Sequence, residues 1–208
     1  MVAATSVVGA GTVALALRGI KTEEISKIAL MTALFLVGST IHVPIGPTSV
    51  HLSLTGFIGL VIGNRTPMAV LIALLLQLFL LHQGGLASLG ANVLIQSLPA
   101  MLLGALFRSR LAGANAGVAF GYGFATGVAS VAGSTLFLTL LLILSHERYL
   151  YTAFAVIASH FVLMFVEGIC TAFAVQFIVG VRPHFFHEPI DATNDLDDSP
   201  APAHLDDD

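Results

Sequence analysis

Charge is scarce in this sequence: only 10% of its 208 residues are Asp, Glu, Lys or Arg, where a soluble domain carries about a quarter. With 56% hydrophobic residues and a mean hydropathy of +0.94, that scarcity excludes an ordinary soluble fold. Cysteine is nearly absent. The one copy, Cys170, lies in an apolar run, can form neither an internal disulfide nor a thiolate metal cluster by itself, and reads as packing. No Gly-Lys-Ser/Thr triplet occurs, so this chain has no nucleotide-binding loop and cannot hydrolyse ATP. A nucleophile elbow and a His-Glu-x-x-His helix are also missing, which leaves an intramembrane enzyme little to work with. No basic patch suggests nucleic acid. The formal charge of -4 says little about partners, because seven acidic residues fall in the last eighteen positions.

What is present is a series of apolar stretches of roughly 16 to 30 residues separated by short polar breaks, the pattern of a bilayer protein. Spans are expected at 2–17, 25–41, 49–63, 67–82, 88–107, 115–145 and 150–180. Arg18, Lys21, Lys27, Arg65, Arg108, Arg110 and Arg182 all fall on alternate breaks, and only Arg148, beside Glu147, falls on the other side. By the positive-inside rule those breaks are cytoplasmic. The expectation is an all-α, polytopic membrane helical bundle of about seven transmembrane helices, N-terminus outside and C-terminus cytoplasmic, in the cell's inner (plasma) membrane. Residues 1–182 would form the bundle. From Pro183 the chain turns acidic and nearly free of aliphatic residues, so 183–208 is expected to be a disordered cytoplasmic tail whose His184, His187 and His204 are merely solvated.

The first span is short: about 16 residues make roughly 24 Å of helix, against about 30 Å of hydrocarbon. A signal peptide is the competing reading, but no basic region precedes it. Small residues recur at helical spacing, as Ala10-x-x-x-Ala14 and Ala29-x-x-x-Ala33, and the sixth stretch carries Gly117, Gly121, Gly123, Gly127 and Gly133. Such residues let helices approach closely where lipid supplies no hydrophobic drive.

The polar residues concentrate in His42-Val-Pro-Ile-Gly-Pro-Thr-Ser-Val-His51-Leu and in His82-Gln-Gly-Gly-Leu-Ala-Ser-Leu-Gly-Ala-Asn92, both on breaks assigned to the outside. They hold three of the eight histidines, and imidazole suits nickel, copper, zinc and cobalt. Pro44 and Pro47 should stop the second helix, and Thr48 or Ser49 could cap the third, with His51 about one turn into it. Asn92 and Ser49 are candidates for supporting a metal ligand. Interfacial histidines and turn glycines with no ligand are the equal alternative. In the last span His160, Glu167 and Thr171 share one helix face. A buried carboxylate there needs a partner: a proton or ion relay and a lock between helices both fit, and the lock is favoured.

Pro-Ile-Gly-Pro-Thr-Ser-Val-His51-Leu, the run into His82-Gln-Gly-Gly-Leu-Ala-Ser-Leu-Gly-Ala-Asn92, and Glu167-Gly-Ile-Cys-Thr171 leading to Val-Arg182-Pro resemble the cobalt and nickel substrate-binding membrane subunits of energy-coupling-factor transporters, the CbiM/NikM family. The resemblance covers residues 25–182. It implies a seven-helix bundle that captures Co²⁺ or Ni²⁺ as substrate, with no cofactor, alongside a transmembrane coupling subunit and two ATPase subunits. It also implies a nitrogen-rich site made from the free amine, a histidine at the second residue and the motif histidine, which here is His51. Ala29 and Ala33 are similar to the small-residue motif that docks such subunits on the coupling protein.

The chain opens Met1-Val2 where that family opens Met-His. Two expectations follow: the ligating end lies upstream of Met1, or this member holds its ion differently, with His42 or His82. The short first span favours the former. Capture of an organic vitamin by the same architecture, and a membrane scaffold that transports nothing, are the other readings the residues leave open.

Overall fold

The computed structural model describes residues 2–45, 48–145, 150–182 and 185–186. Seven α-helices lie among them: α1 (Val2–Leu17), α2 (Thr22–Thr40), α3 (Thr55–Ile62), α4 (Thr66–Leu80), α5 (Leu89–Leu111), α6 (Ala116–Ser145) and α7 (Leu150–Val181). Four helical runs are long and apolar enough to cross a bilayer: Thr55–Leu80, Leu86–Leu111, Ala116–Leu144 and Leu150–Val181. Val7–Leu17 is a shorter apolar helix. Phe154, Phe161, Phe173 and Phe177 of α7 are exposed, as befits a surface bathed in lipid rather than water.

The expected third span, 49–63, is not helical along its length. His42–Ile45 (β1) and Thr48–His51 (β2) pair as an antiparallel hairpin with His42 opposite His51 and Ile45 opposite Thr48, so the all-α reading carries one exception. Apolar content alone cannot tell helix from strand over so short a stretch. A carboxylate from another helix decides it. Glu167 of α7, fully buried, accepts on Oε1 the Ser53 backbone N–H, the Ser53 hydroxyl (2.7 Å) and the Leu54 N–H (2.9 Å). Backbone donors at a helix start have no partner within the helix, and in lipid no water replaces one. Leu54 turns the chain through the left-handed region (φ 53°), and α3 then runs for only eight residues. The expected cap from Thr48 or Ser49 is therefore supplied by α7 instead, and His51 stands in β2 rather than inside a helix.

The other end of α3 is held with the opposite sign. Arg108 of α5 donates to the carbonyls of Leu60 (3.0 Å) and Val61 (2.7 Å) in the last turn. An anion at the start and a cation at the end both complement the helix dipole. Nearby, Arg65 is 8% exposed, and its guanidinium is matched by Glu24 (3.1 and 2.9 Å) and by the carbonyls of Ala16 (2.7 Å), Arg18 (2.8 Å) and Gly19 (2.9 Å). Glu24 also accepts the Lys21 N–H (3.0 Å), closing the start of α2. Both arginines, read from sequence as flanking charges, thus satisfy the ends of α1 and α3.

Glycine sets the helix spacing at a few crossings. A Cβ on Gly59 would lie 2.1 Å from the Ala100 carbonyl oxygen, and one on Gly104 2.1 Å from that of Gly59, so α3 and α5 touch backbone to backbone. Between α6 and α7, Gly123 and Gly127 play the same part against Ala172 and Gly168, and Gly133 packs on Pro99 of α5. Gly117 and Gly121, expected to pack likewise, do not: a Cβ on Gly121 meets nothing within 4 Å. Phe186 is buried against the core beyond the expected limit of the bundle at 182. The remainder of the acidic tail, with His184, His187 and His204, lies outside the described residues.

Glu167→Ala orphans three buried donors and is expected to cost about 3 kcal/mol or more, at about 1 kcal/mol or more each, read as a lower unfolding midpoint in detergent. Glu167→Gln keeps an acceptor and should lose less; an undisturbed alanine variant would remove the carboxylate from this role. Gly59→Ala should depress the midpoint sharply, whereas Gly121→Ala should leave it unchanged or slightly raised.

Candidate functional site

The hairpin and the α3 half-helix enclose one side of a cavity of about 350 Å³ with a mixed polar and apolar lining. The chain leading into α3 contributes His51, Ser53 and Thr55. From α4 and the turn after it come Gln77, Gln83 and Gly84. Asn92 and Gln96 of α5, Ser134 of α6 and His160 of α7 close the remaining wall.

Each side chain is placed by a local reason. His51 follows the β2 ladder, and its half-buried ring meets the edge of the fully buried Phe35 ring (centroids 6.4 Å apart, planes at 62°). The returning strand passes α2 at Gly38, where a Cβ would come 2.9 Å from the Leu52 carbonyl oxygen. After α4 the chain turns tightly. The Leu81 and Gln83 N–H groups both donate to the Gln77 carbonyl (2.9 and 3.2 Å), with His82 (φ 54°) and Gly84 (φ 87°) in the left-handed region. That turn brings Gln83 to the cavity and leaves His82 exposed outside its lining. On α7, His160 Nδ1 lies 2.8 Å from the Val156 carbonyl oxygen and 3.3 Å from Ser159 Oγ.

The lining carries two imidazoles, four carboxamides, three hydroxyls and the aliphatic side chains of Leu74, Ile95, Val131, Leu138 and Leu163, and no charged side chain, among the described residues. Such a wall offers neutral nitrogen and oxygen donors. Gln77 is 4% exposed, and its amide nitrogen has no hydrogen-bond partner among the described residues; neither has the Ser134 hydroxyl. Buried polar atoms of this kind need a guest, either water or ligand.

Of the residues singled out by sequence, His51, Asn92 and His160 come together here on the cavity lining. The Asn92 amide nitrogen lies 3.5 Å from Ser88 Oγ. His42 enters through its backbone, paired with His51, while its side chain and that of Ser49 lie outside the described residues. Glu167 stands apart, as the lock on Ser53 and Leu54. Ala29 and Ala33 lie elsewhere, in an apolar groove between α2 and α4 lined also by Ile25, Met68, Ile72 and Leu76. Sequence reasoning passed over Gln77 and Gln96. Their signal was a lone amide inside Leu-Leu-Leu-Gln-Leu-Phe and Val-Leu-Ile-Gln-Ser.

Residues 1–185 match the family described as the cobalt uptake substrate-specific transmembrane region, CbiM. A Haemophilus influenzae protein named "Putative metal transport protein" is 44% identical over 108 residues, 52% of this chain and 52% of that protein. The "Cobalt transport protein CbiM" of Sorangium cellulosum is 35% identical over 153 residues, 69% of this chain and 67% of that protein. The matched region spans about half the length of the Haemophilus protein. No solved structure matches the chain. With its apolar helices and this match over most of its length, the chain belongs to the CbiM family of cobalt-uptake transmembrane components, which are membrane transport proteins and not enzymes.

Proposed function

We propose that this chain is the substrate-capture subunit of an ATP-driven energy-coupling-factor importer for Co²⁺ or Ni²⁺, with His51 as the imidazole that takes the ion from outside. The observation that carries the reading is His51 on the wall of a cavity whose donors are neutral nitrogens and oxygens. Hard ions such as Mg²⁺ and Ca²⁺ prefer carboxylates and carbonyls, whereas imidazole favours late first-row metals. The bundle would sit in the inner membrane with its N-terminus outside and C-terminus cytoplasmic, crossing about seven times. The tying together of Arg18, Gly19 and Arg65, away from the cavity wall, supports gathering the basic breaks on one side. ATP hydrolysis falls to two ATPase subunits through a transmembrane coupling subunit, for which the apolar groove bearing Ala29 and Ala33 is the docking face.

One observation favours a second reading: about 350 Å³ is ample for a small organic molecule such as a vitamin. Metal titration of the purified protein separates the two. Ni²⁺ and Co²⁺ should bind in the presence of excess Mg²⁺, and His51→Ala should weaken binding at least tenfold, about 1.4 kcal/mol. Equal affinity in parent and variant would discard the metal assignment. Ala29→Leu with Ala33→Leu should leave metal binding intact and abolish co-purification with the coupling subunit; retained co-purification would move the docking face elsewhere.

A further inference from the structure

We propose that Pro99 breaks the hydrogen-bond ladder of α5 so that the Ile95 main-chain carbonyl oxygen is left free at the capture cavity, where it accepts a hydrogen bond from water carried in on the cation. The inference rests on the metal-capture reading above and adds a group that touches the ion's water and not the ion.

The break follows from covalent chemistry. Pro99 lies inside α5. A helical carbonyl accepts from the N–H four residues on, and proline has none, so the Ile95 carbonyl loses that partner and is pushed aside by the ring. No side-chain donor among the described residues replaces it. The Ser97 hydroxyl, two residues away, goes to the Val93 carbonyl instead (2.6 Å). At membrane depth a free main-chain oxygen is tolerated where it lines a water-filled cavity. Ile95 stands on the cavity wall, with Asn92 and Gln96 beside it on the same face of α5.

Neighbouring helices hold the break in place. A Cβ on Gly133 of α6 would lie 2.8 Å from Pro99 Cβ, and a Cβ on Gly59 of α3 would lie 2.1 Å from the Ala100 carbonyl oxygen. α5 is thus clamped immediately after the break, on two sides. Packing does not ask for a proline here, because the atom that meets Gly133 first is Cβ, which alanine also has. Proline is the worst residue for a helix interior and alanine the best, so the ring needs another reason. The cavity beside it supplies one.

The unmatched groups around that cavity agree in kind. Thr126 and Thr135 of α6 return their hydroxyls to the carbonyl one turn back (2.7 Å each), whereas Ser134, next to Gly133 and on the cavity wall, has a buried hydroxyl with no partner among the described residues. Gln77 brings an unpartnered amide nitrogen to the same lining. Those two are donors, and a carbonyl oxygen is an acceptor only, so together they suit water, which needs both. Water on a divalent cation is a stronger donor than bulk water, since the ion draws electron density from it and lowers its pKa. With no charged side chain on the lining, a fixed carbonyl dipole favours an arriving aqua-cation over a neutral molecule of similar size.

The test uses the full chain purified in detergent, its isoleucines labelled with ¹³C at the carbonyl, and Co²⁺ as the probe. Infrared difference spectra of the parent should show a labelled carbonyl moving to lower frequency when Co²⁺ is added, and Ile95→Val, which removes the label from that position alone, should lack the band. A parent spectrum in which no labelled carbonyl moves, or a moving band that survives Ile95→Val, overturns the inference. Pro99→Ala restores an N–H to the Ile95 carbonyl: Co²⁺ affinity should fall at least threefold while the unfolding midpoint stays level or rises, a pairing that structural damage does not produce. Lactic acid at position 99, an ester linkage with no N–H, should keep the parent's affinity; binding as weak as in Pro99→Ala would place the effect in the ring and discard the freed carbonyl. If Pro99→Ala binds like the parent while His51→Ala does not, this inference falls and metal capture by His51 stands. If neither substitution changes binding, both fall.

Discussion

In a low-dielectric bundle every backbone N–H and C=O must find a partner, and the ends of the eight-residue helix α3, like those of any helix, find none within it. Glu167 answers the donors at one end and Arg108 the acceptors at the other, from two different helices. Most of what is distinctive here follows from that arrangement. The half-helix permits an extended hairpin in front of it, the hairpin carries His51, and the space not filled by missing helical turns becomes the cavity. A continuous helix from 49 to 63 would pair the Ser53 and Leu54 N–H groups within itself, would not need Glu167 there and would fill more of that space.

Close helix contact is the second constraint, and it depends on the first. α3 can be gripped by Arg108 because Gly59 and Gly104 let α3 and α5 meet without side chains between them. The same logic joins α6 to α7 through Gly123, Gly127 and Gly168, which fixes the helix that carries Glu167. Glycine costs helix propensity, about 1 kcal/mol against alanine, and in lipid the gain is contact area that no hydrophobic drive supplies. At Gly121, where nothing faces the residue, that gain is missing, and the spacing pattern alone does not distinguish it from Gly123.

The helices were legible in the sequence because a bilayer demands long apolar runs. The expected spans 2–17, 115–145 and 150–180 differ from α1, α6 and α7 by at most a residue at either end. The third span was not legible. Residues 49–62 contain nothing that says strand rather than helix, and the deciding carboxylate lies 114 residues from Ser53. Long-range partners likewise hid the work of Arg65 and Arg108, whose charge was read as topology while their burial depends on Glu24 and on carbonyls of other helices. His51 and Asn92 could be singled out because they stand in a polar stretch; Gln77 and Gln96 could not, since one amide in an apolar run gives no hint of what it faces. His160 and Glu167 share a face by spacing, yet they serve separate purposes: the first bonds its own helix and looks into the cavity, the second holds the hairpin loop.

That division of labour on one helix has a mechanical consequence. Glu167 fixes the level of Ser53, and therefore of His51, relative to α7, and His160 belongs to α7 already. The height of His51 relative to α7 is set by a carboxylate clasp and the two residues that join it to Ser53. A helix of 32 residues packed along α6 is a stiff ruler. The level of His51 against α7 is thus fixed although its strand is only four residues long. The stiffness comes from the same buried carboxylate that lets the third helix begin late.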